Sequence, residues 1–239
     1  MSNDRPIVKM RVSYKGKTMG EGYKDIIVNH FTEEAAAKFR EEVIARSILD
    51  QQAPIIIYID SYGGYIDSVN NMLATLEQIH NPVITVCVGK AMSCGSVLLA
   101  AGDHRFCDRH SRVLIHQGSS GAGGPIEGMQ NDVDESKRLN KELMTFIAMR
   151  CGMSLRDFKT EMRSKLIKGD DEARDWYLPA QAALDLGIVD FIGMPLVKPM
   201  VSYHIEASLP KEYPPIAKKP IKKKKVKKKT SKKKKKKKK

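Results

Sequence analysis

The chain has 239 residues, 42 basic and 28 acidic, for a formal charge of +14. Seventeen of the basic residues are lysines in 218–239, which holds no acid, so the rest carries 25 basic against 28 acidic residues. The length suits one domain with a substantial core, and the basic character belongs to a tail rather than to that body. No run of 18 apolar residues occurs, so no transmembrane helix is expected, and the N-terminus lacks the apolar stretch of a signal peptide. Cys87, Cys94, Cys107 and Cys151 form no C-x-x-C pair. They read as free thiols of a reducing compartment, not as a disulfide framework or a zinc site, and a cytoplasmic location is expected.

Taken in order, Ile7 to Tyr14 alternates apolar and polar and reads as a strand or arm. Asp25 to Asn29 is a short strand. Thr32 has the place of an N-cap, with Glu33 and Glu34 in the first turn of a helix running to about Asp50. Ala35, Ala36, Phe39, Val43 and Ile44 fall on one face of it. Pro54 to Ile59 is almost continuously β-branched, as in a strand covered on both sides. It runs into Asp60-Ser61-Tyr62-Gly63-Gly64, and a helix from about Ile66 to His80 follows. Val83 to Val88 is a second buried strand, broken by Gly89, with a helix over the apolar residues that end at Ala101. A polar connecting segment around His104 and His110 leads to a short strand, Arg112 to His116, and a glycine-rich stretch, Gly118 to Gly124. Helices are expected from about Pro125 to Cys151, Ser154 to Lys168 and Pro179 to Leu186, and a last strand over Ile188 to Ile192. The β-turn-α-β order implies an α/β architecture of parallel strands with right-handed crossovers. The bounds expected are an arm over 1–24, a folded domain over 25–205, and a Pro- and Lys-rich tail over 206–239 that has little to bury and repels itself. That tail suits nucleic acid or another polyanion, although no aromatic residue interleaves its lysines for base stacking.

Chemistry concentrates at three places. Ser93 stands at the joint between a strand and a helix, where unpaired N–H groups and the helix dipole favour negative charge. A serine nucleophile needs that setting, because its tetrahedral intermediate carries an oxyanion. The competing reading is a serine that merely caps a buried helix. Gly63-Gly64 ends a buried strand and reads either as a plain turn or as a backbone N–H donor to an oxyanion, with the Cys94 N–H as the second donor. His116 ends its strand and enters a loop; it reads either as a structural histidine or, given reach to Ser93, as the general base, with His104 and His110 as rivals. A carboxylate to orient the imidazole has its candidates in Asp170-Asp171-Glu172-Ala173-Arg174-Asp175, and the residues alone do not choose among them. The order Ser, His, Asp and the A-x-S-x-G frame differ from the α/β-hydrolase pattern. A Ser–Lys dyad would need Lys90, three residues before Ser93 on a tight turn.

Several segments resemble the ClpP family, the proteolytic subunits of the ATP-dependent Clp protease. They are Tyr58-Ile59-Asp60-Ser61-Tyr62-Gly63-Gly64, Gly89-Lys90-Ala91-Met92-Ser93-Cys94-Gly95, Leu98 to Gly102, Arg112 to Gln117, Asp171 to Leu178 and Ala182 to Asp190. The resemblance covers about residues 54 to 192. It implies a ClpP/crotonase-like α/β spiral of parallel strands with flanking helices. By it, Ser93 corresponds to the nucleophile, His116 to the base and Asp171 to the orienting carboxylate, with Asp170 an alternative, and Gly64 and Cys94 supply the oxyanion-hole N–H groups. It further implies a homo-oligomer of stacked, typically heptameric rings that degrades unfolded polypeptides delivered by an AAA+ unfoldase. ATP is then used by that partner, and this subunit needs no cofactor, metal or membrane. The family usually has S-P-G-G and H-Q-P where this chain has Ser61-Tyr62-Gly63-Gly64 and His116-Gln117-Gly118. The alternatives are a capsid-maturation protease of the same type, a catalytically inactive regulatory subunit, an acyl-CoA enzyme of the crotonase fold, and a nucleic-acid-binding protein working through its tail.

Overall fold

The computed structural model describes residues 25–118, 125–165 and 175–196. The expected strand at Ile7 to Tyr14, residues 119–124, Asp170, Asp171 and the lysine tail lie outside the described residues, as do the ends of the expected domain. In chain order the elements are β1 (Ile26–Val28), α1 (Glu33–Leu49), β2 (Ile55–Ser61), α2 (Ile66–Leu76), β3 (Val83–Met92), α3 (Cys94–Ala101) and β4 (His104–Cys107). They continue with β5 (Arg112–His116), α4 (Ile126–Arg150), α5 (Leu155–Lys165), β6 (Asp175–Pro179), α6 (Ala180–Leu186) and β7 (Phe191–Ile192). This is an α/β fold with a parallel sheet flanked by helices. Among the described residues no helix is long and apolar enough to cross a membrane.

The sheet runs β1-β2-β3-β4-β7, every pair parallel. β2 is apolar on both faces and is covered on both. Ile55, Ile57 and Ile59 are fully buried in the main core with Val43, Val69, Met72 and Leu98, while Ile56 joins Ile84 and Val86 in a smaller cluster. Burying each such side chain contributes about 1.5–3 kcal/mol. Helix α1 starts as its sequence dictates: the Thr32 hydroxyl accepts from the Ala35 N–H at 3.2 Å, and Ala36, Phe39 and Val43 face the core.

β3 departs from expectation. It does not stop at Val88 but continues to Met92, and Gly89 is a pivot inside it rather than its end. Residues Ile84 to Cys87 pair with β4, whereas Lys90 to Met92 pair with β5. Against β2 the register jumps, since Ile59 faces Cys87 and Ser61 faces Ala91. The two extra residues are absorbed where Gly89 has φ +79°, a conformation that suits glycine. One strand thereby passes from one neighbour to another and delivers its end to a different part of the molecule.

Four other elements differ from the sequence reading. Helix α2 ends at Leu76, not His80, because Gln78 and Ile79 donate to carbonyls three residues back and tighten the chain toward Asn81. The Asn81 amide then donates to the carbonyls of Asp50 and Ala53. The polar segment after α3 contains β4. The acidic stretch before α6 ends in a strand, β6, which is antiparallel to β5, so the sheet is not wholly parallel. The last strand is confined to Phe191–Ile192, since Ile188 and Val189 donate back to Ala183 and finish α6 instead.

The C-terminal end of α4 is fixed by arginines. Arg150 Nε donates to the Ala100 carbonyl at 2.7 Å, and its Nη2 donates to the Gly102 carbonyl. Arg105, buried on β4, donates to the Arg150 carbonyl at 3.0 Å and pairs with Asp190 through Nε–Oδ2 at 3.0 Å.

Candidate active site

Ser93 follows the last residue of β3 and precedes α3. Its N–H donates to the Leu114 carbonyl at 3.0 Å, which seats it beside β5. Its backbone has φ +54° and ψ −121°, and among the described residues it is the one non-glycine with positive φ. Such a conformation stores about 1–3 kcal/mol, which the packing around it must hold. The side chain caps no helix N–H, so the plain capping reading does not describe it. Helix α3 begins directly after it, with Cys94 to Ala100 all buried.

His116 is two residues beyond Leu114 on β5, and alternation puts both on the same face of that strand. Ser93 and His116 line one cleft. The rival histidines are elsewhere. His104 pairs with Ile84 near the start of β3, and eight strand residues separate that point from Met92, about 26 Å of strand. His110 is exposed, and its backbone N–H is bound to the Asp108 carboxylate.

The carboxylate that meets His116 among the described residues is Asp175. The two are direct partners in the β5–β6 register, and His116 Nδ1 is 3.6 Å from Asp175 Oδ1. The other imidazole nitrogen, Nε2, is buried without a protein partner, so it is open to a hydroxyl or a substrate. Asp171, which the resemblance favoured, and Asp170 are outside the described residues. Asp175 was among the candidates but was not singled out. The usable signal was the alternation Asp175-Trp176-Tyr177-Leu178, whose Trp176 and Leu178 are buried while Asp175 and Tyr177 are exposed. Read as a strand, it brings its first residue to the end of β5.

The glycine pair lies against the serine. A Cβ built on Gly63 would come within 2.7 Å of Ser93 Cβ, and Gly63 has φ +106°. One on Gly64 would strike the Phe31 carbonyl oxygen. The turn is held by the Gly63 N–H donating to Ser61 Oγ at 3.1 Å and the Tyr65 N–H donating to the Phe31 carbonyl at 2.8 Å. Cys94 Sγ donates to the Gly64 carbonyl at 3.2 Å, so both proposed donors belong to residues in direct contact. Burial pushes the Cys94 thiol up, which keeps it protonated and leaves the hydroxyl as the nucleophile at this joint. Lys90 turns elsewhere: its Nζ is 2.6 Å from Asp60 Oδ1 and 4.3 Å from the centre of the Tyr62 ring. That removes the geometric basis for a Ser–Lys dyad.

The cleft continues from Ser93 over an apolar wall, in which Ile66, Val97, Leu143 and Ile147 face the reacting end. Asn140 enters this wall from α4, and its Oδ1 accepts the Gly118 N–H at 3.2 Å, a bond that a proline at this position could not make. A hydroxyl on a strained joint, an imidazole across the cleft, a carboxylate behind the imidazole and backbone donors at a helix start together suit acyl transfer.

Comparison with known proteins points the same way. The family model described as Clp protease matches residues 22–195. The chain is 32% identical over 163 residues to the protein called ATP-dependent Clp protease proteolytic subunit 1 of Prochlorococcus marinus subsp. pastoris. The alignment covers 67% of this chain and 78% of that protein. The protein of the same name in Prochlorococcus marinus strain MIT 9312 is similar to the same extent, 32% over 163 residues, with the same shares covered.

Proposed function

Because the chain belongs to the Clp protease family, we propose that it is a serine endopeptidase in which Ser93 attacks the scissile carbonyl and His116 is the general base. His116 Nε2 takes the hydroxyl proton and then passes it to the leaving amine. Asp175 faces Nδ1, fixes the tautomer and stabilises the imidazolium. The N–H groups of Gly64 and Cys94 receive the oxyanion. The observation that carries this reading is the pair of strand contacts around β5: Ser93 bonded to Leu114, and Asp175 opposite His116 two residues on. The 3.6 Å between Nδ1 and Oδ1 is longer than a hydrogen bond. Catalytic contacts often tighten only when substrate is bound.

The subunit is proposed to work in a closed ring of copies, on unfolded polypeptides supplied by an ATP-dependent unfoldase, with ATP spent by that partner. The names of the relatives support this assignment, and a chamber has a physical rationale: a triad with an apolar, weakly selective cleft is confined away from folded proteins. The lysine tail is proposed to bind a polyanion independently of the protease body.

Labelling with a fluorophosphonate probe tests the core of the proposal. The assembled wild type is expected to label, and Ser93→Ala and His116→Ala are expected not to. A folded wild type that resists the probe would sink the active-protease reading and favour a regulatory subunit.

A further inference from the structure

We propose that Lys90 is a positioning residue that stiffens the oxyanion turn, through one cation shared between Asp60 and Tyr62. The inference rests on the assignment of Ser93 and the Gly64 N–H given above.

The turn Tyr62 to Tyr65 must hold a donor still, yet it contains two consecutive glycines, the residues with most backbone freedom to lose. One side is secured by Phe31 and Ser61 through the hydrogen bonds already described. The leading side is Tyr62, a residue 72% exposed, so apolar burial does not hold it. Lys90 does. Its ammonium lies over that ring at 4.3 Å from the centroid, within the range for cation–π attraction, and at 2.6 Å from the Asp60 carboxylate. The lysine side chain is only 19% exposed, which is unusual for a residue that normally reaches into water.

The three residues come from three points that converge on the nucleophile. Asp60 is the next-to-last residue of β2, Tyr62 opens the glycine turn, and Lys90 is on the part of β3 that leads to Ser93. Asp60 is also packed against the pivot, since a Cβ on Gly89 would sit 3.1 Å from its Oδ1. A displacement of Tyr62 is passed on to Gly63, which already abuts Ser93. The cation therefore restrains the distance between donors and nucleophile without touching substrate. At the Tyr62 position the resembled family carries proline, which stiffens a turn covalently. Here a charged side chain does the equivalent from outside the turn.

The test uses the full-length, assembled protein. Rate constants for fluorophosphonate labelling, kcat and KM on a short fluorogenic peptide, and hydrogen exchange over residues 62–65 are compared for wild type, Lys90→Ala, Lys90→Arg and Tyr62→Phe. Lys90→Ala is expected to lower kcat and the labelling rate about 10- to 100-fold, the scale on which small misplacements act. KM should move less than about threefold, and exchange at the turn should speed up. Lys90→Arg and Tyr62→Phe keep a cation and a ring face and should remain within about threefold of wild type. A Lys90→Ala enzyme with wild-type labelling and unchanged exchange overturns the inference. A wild type that does not label sinks the protease assignment instead, and the exchange comparison then still decides whether Lys90 holds the turn.

Discussion

His116 and Asp175 face each other directly across the antiparallel pairing of β5 and β6, so the ladder between these strands brings this carboxylate to the imidazole. Strand register, not proximity in sequence, makes this pair. The first prediction follows from it. Asp175→Asn should leave the fold intact by circular dichroism and lower kcat on a peptide substrate about a thousandfold, as expected for loss of the orienting carboxylate. Asp171→Asn, measured alongside, should have a much smaller effect. The reverse ranking would return the role to Asp171.

Ser93 holds a backbone conformation that glycine adopts freely. Ser93→Gly should therefore abolish labelling while raising resistance to urea by about 1 kcal/mol or more. An inactive variant that is also less stable would show that the strain at φ +54° has been misjudged.

The Gly63 site has no room for a methyl group next to Ser93. Gly63→Ala should slow labelling by at least about a hundredfold, because either the serine or the turn must move. It should also destabilise the subunit by about 2 kcal/mol, from the strained φ alone. Denaturant titration and probe kinetics on the same preparation check both.

Asp190 provides a pH test of the arginine cluster. Burial raises its carboxyl, but the hydrogen bonds and charge of Arg105 outweigh that and hold it below the usual carboxylate range. A folded value below the unfolded one contributes stability above about pH 4, which is lost as the pH falls through the folded value. Asp190→Asn should cost about 1–2 kcal/mol at pH 7, less than a fully desolvated pair because the side chain is still 31% exposed. The gap between variant and wild type should narrow below about pH 4 in denaturant melts.

The tail is tested separately. Removing 218–239 takes away 17 positive charges and should abolish salt-dependent binding to heparin or RNA while leaving peptide hydrolysis unchanged. Lost hydrolysis in the shortened chain would tie the tail to the protease body.

What could be read from the sequence was what depends on neighbours in the chain. Thr32 caps α1 because its hydroxyl reaches an N–H three residues on, and the β-branched run of β2 has nowhere to go but the interior. Ser93 stood out because it stands at the joint between a strand and a helix, and His116 because it ends a strand and enters a loop. The missing parts are long-range. Whether residues 175–179 form a strand depends on β5, some sixty residues earlier in the chain, so the stretch read as the approach to α6, and the register that brings Asp175 opposite His116 went unseen. Gly89 was read as a breaker because glycine usually is one. Its use as a pivot depends on β3 having two different partners, which no local pattern reveals. The Lys90–Asp60–Tyr62 cluster was equally invisible, since it joins two strands thirty residues apart.

The arginine clamp at the end of α4 has a mechanical consequence. A helix of 25 residues is about 37 Å long. Its last turn is tethered by Arg150 to the carbonyls of Ala100 and Gly102, while residues such as Val133 nearer its start remain exposed. The helix is clamped at this end, with Leu143 and Ile147 of the cleft wall close to the clamp and Asn140 a turn farther out. A load applied near its start would tilt the helix about the clamp, moving Asn140 more than Ile147. Whatever grips the far end of α4 thereby has leverage over the width of the cleft, and through Gly118 over the strand that carries His116.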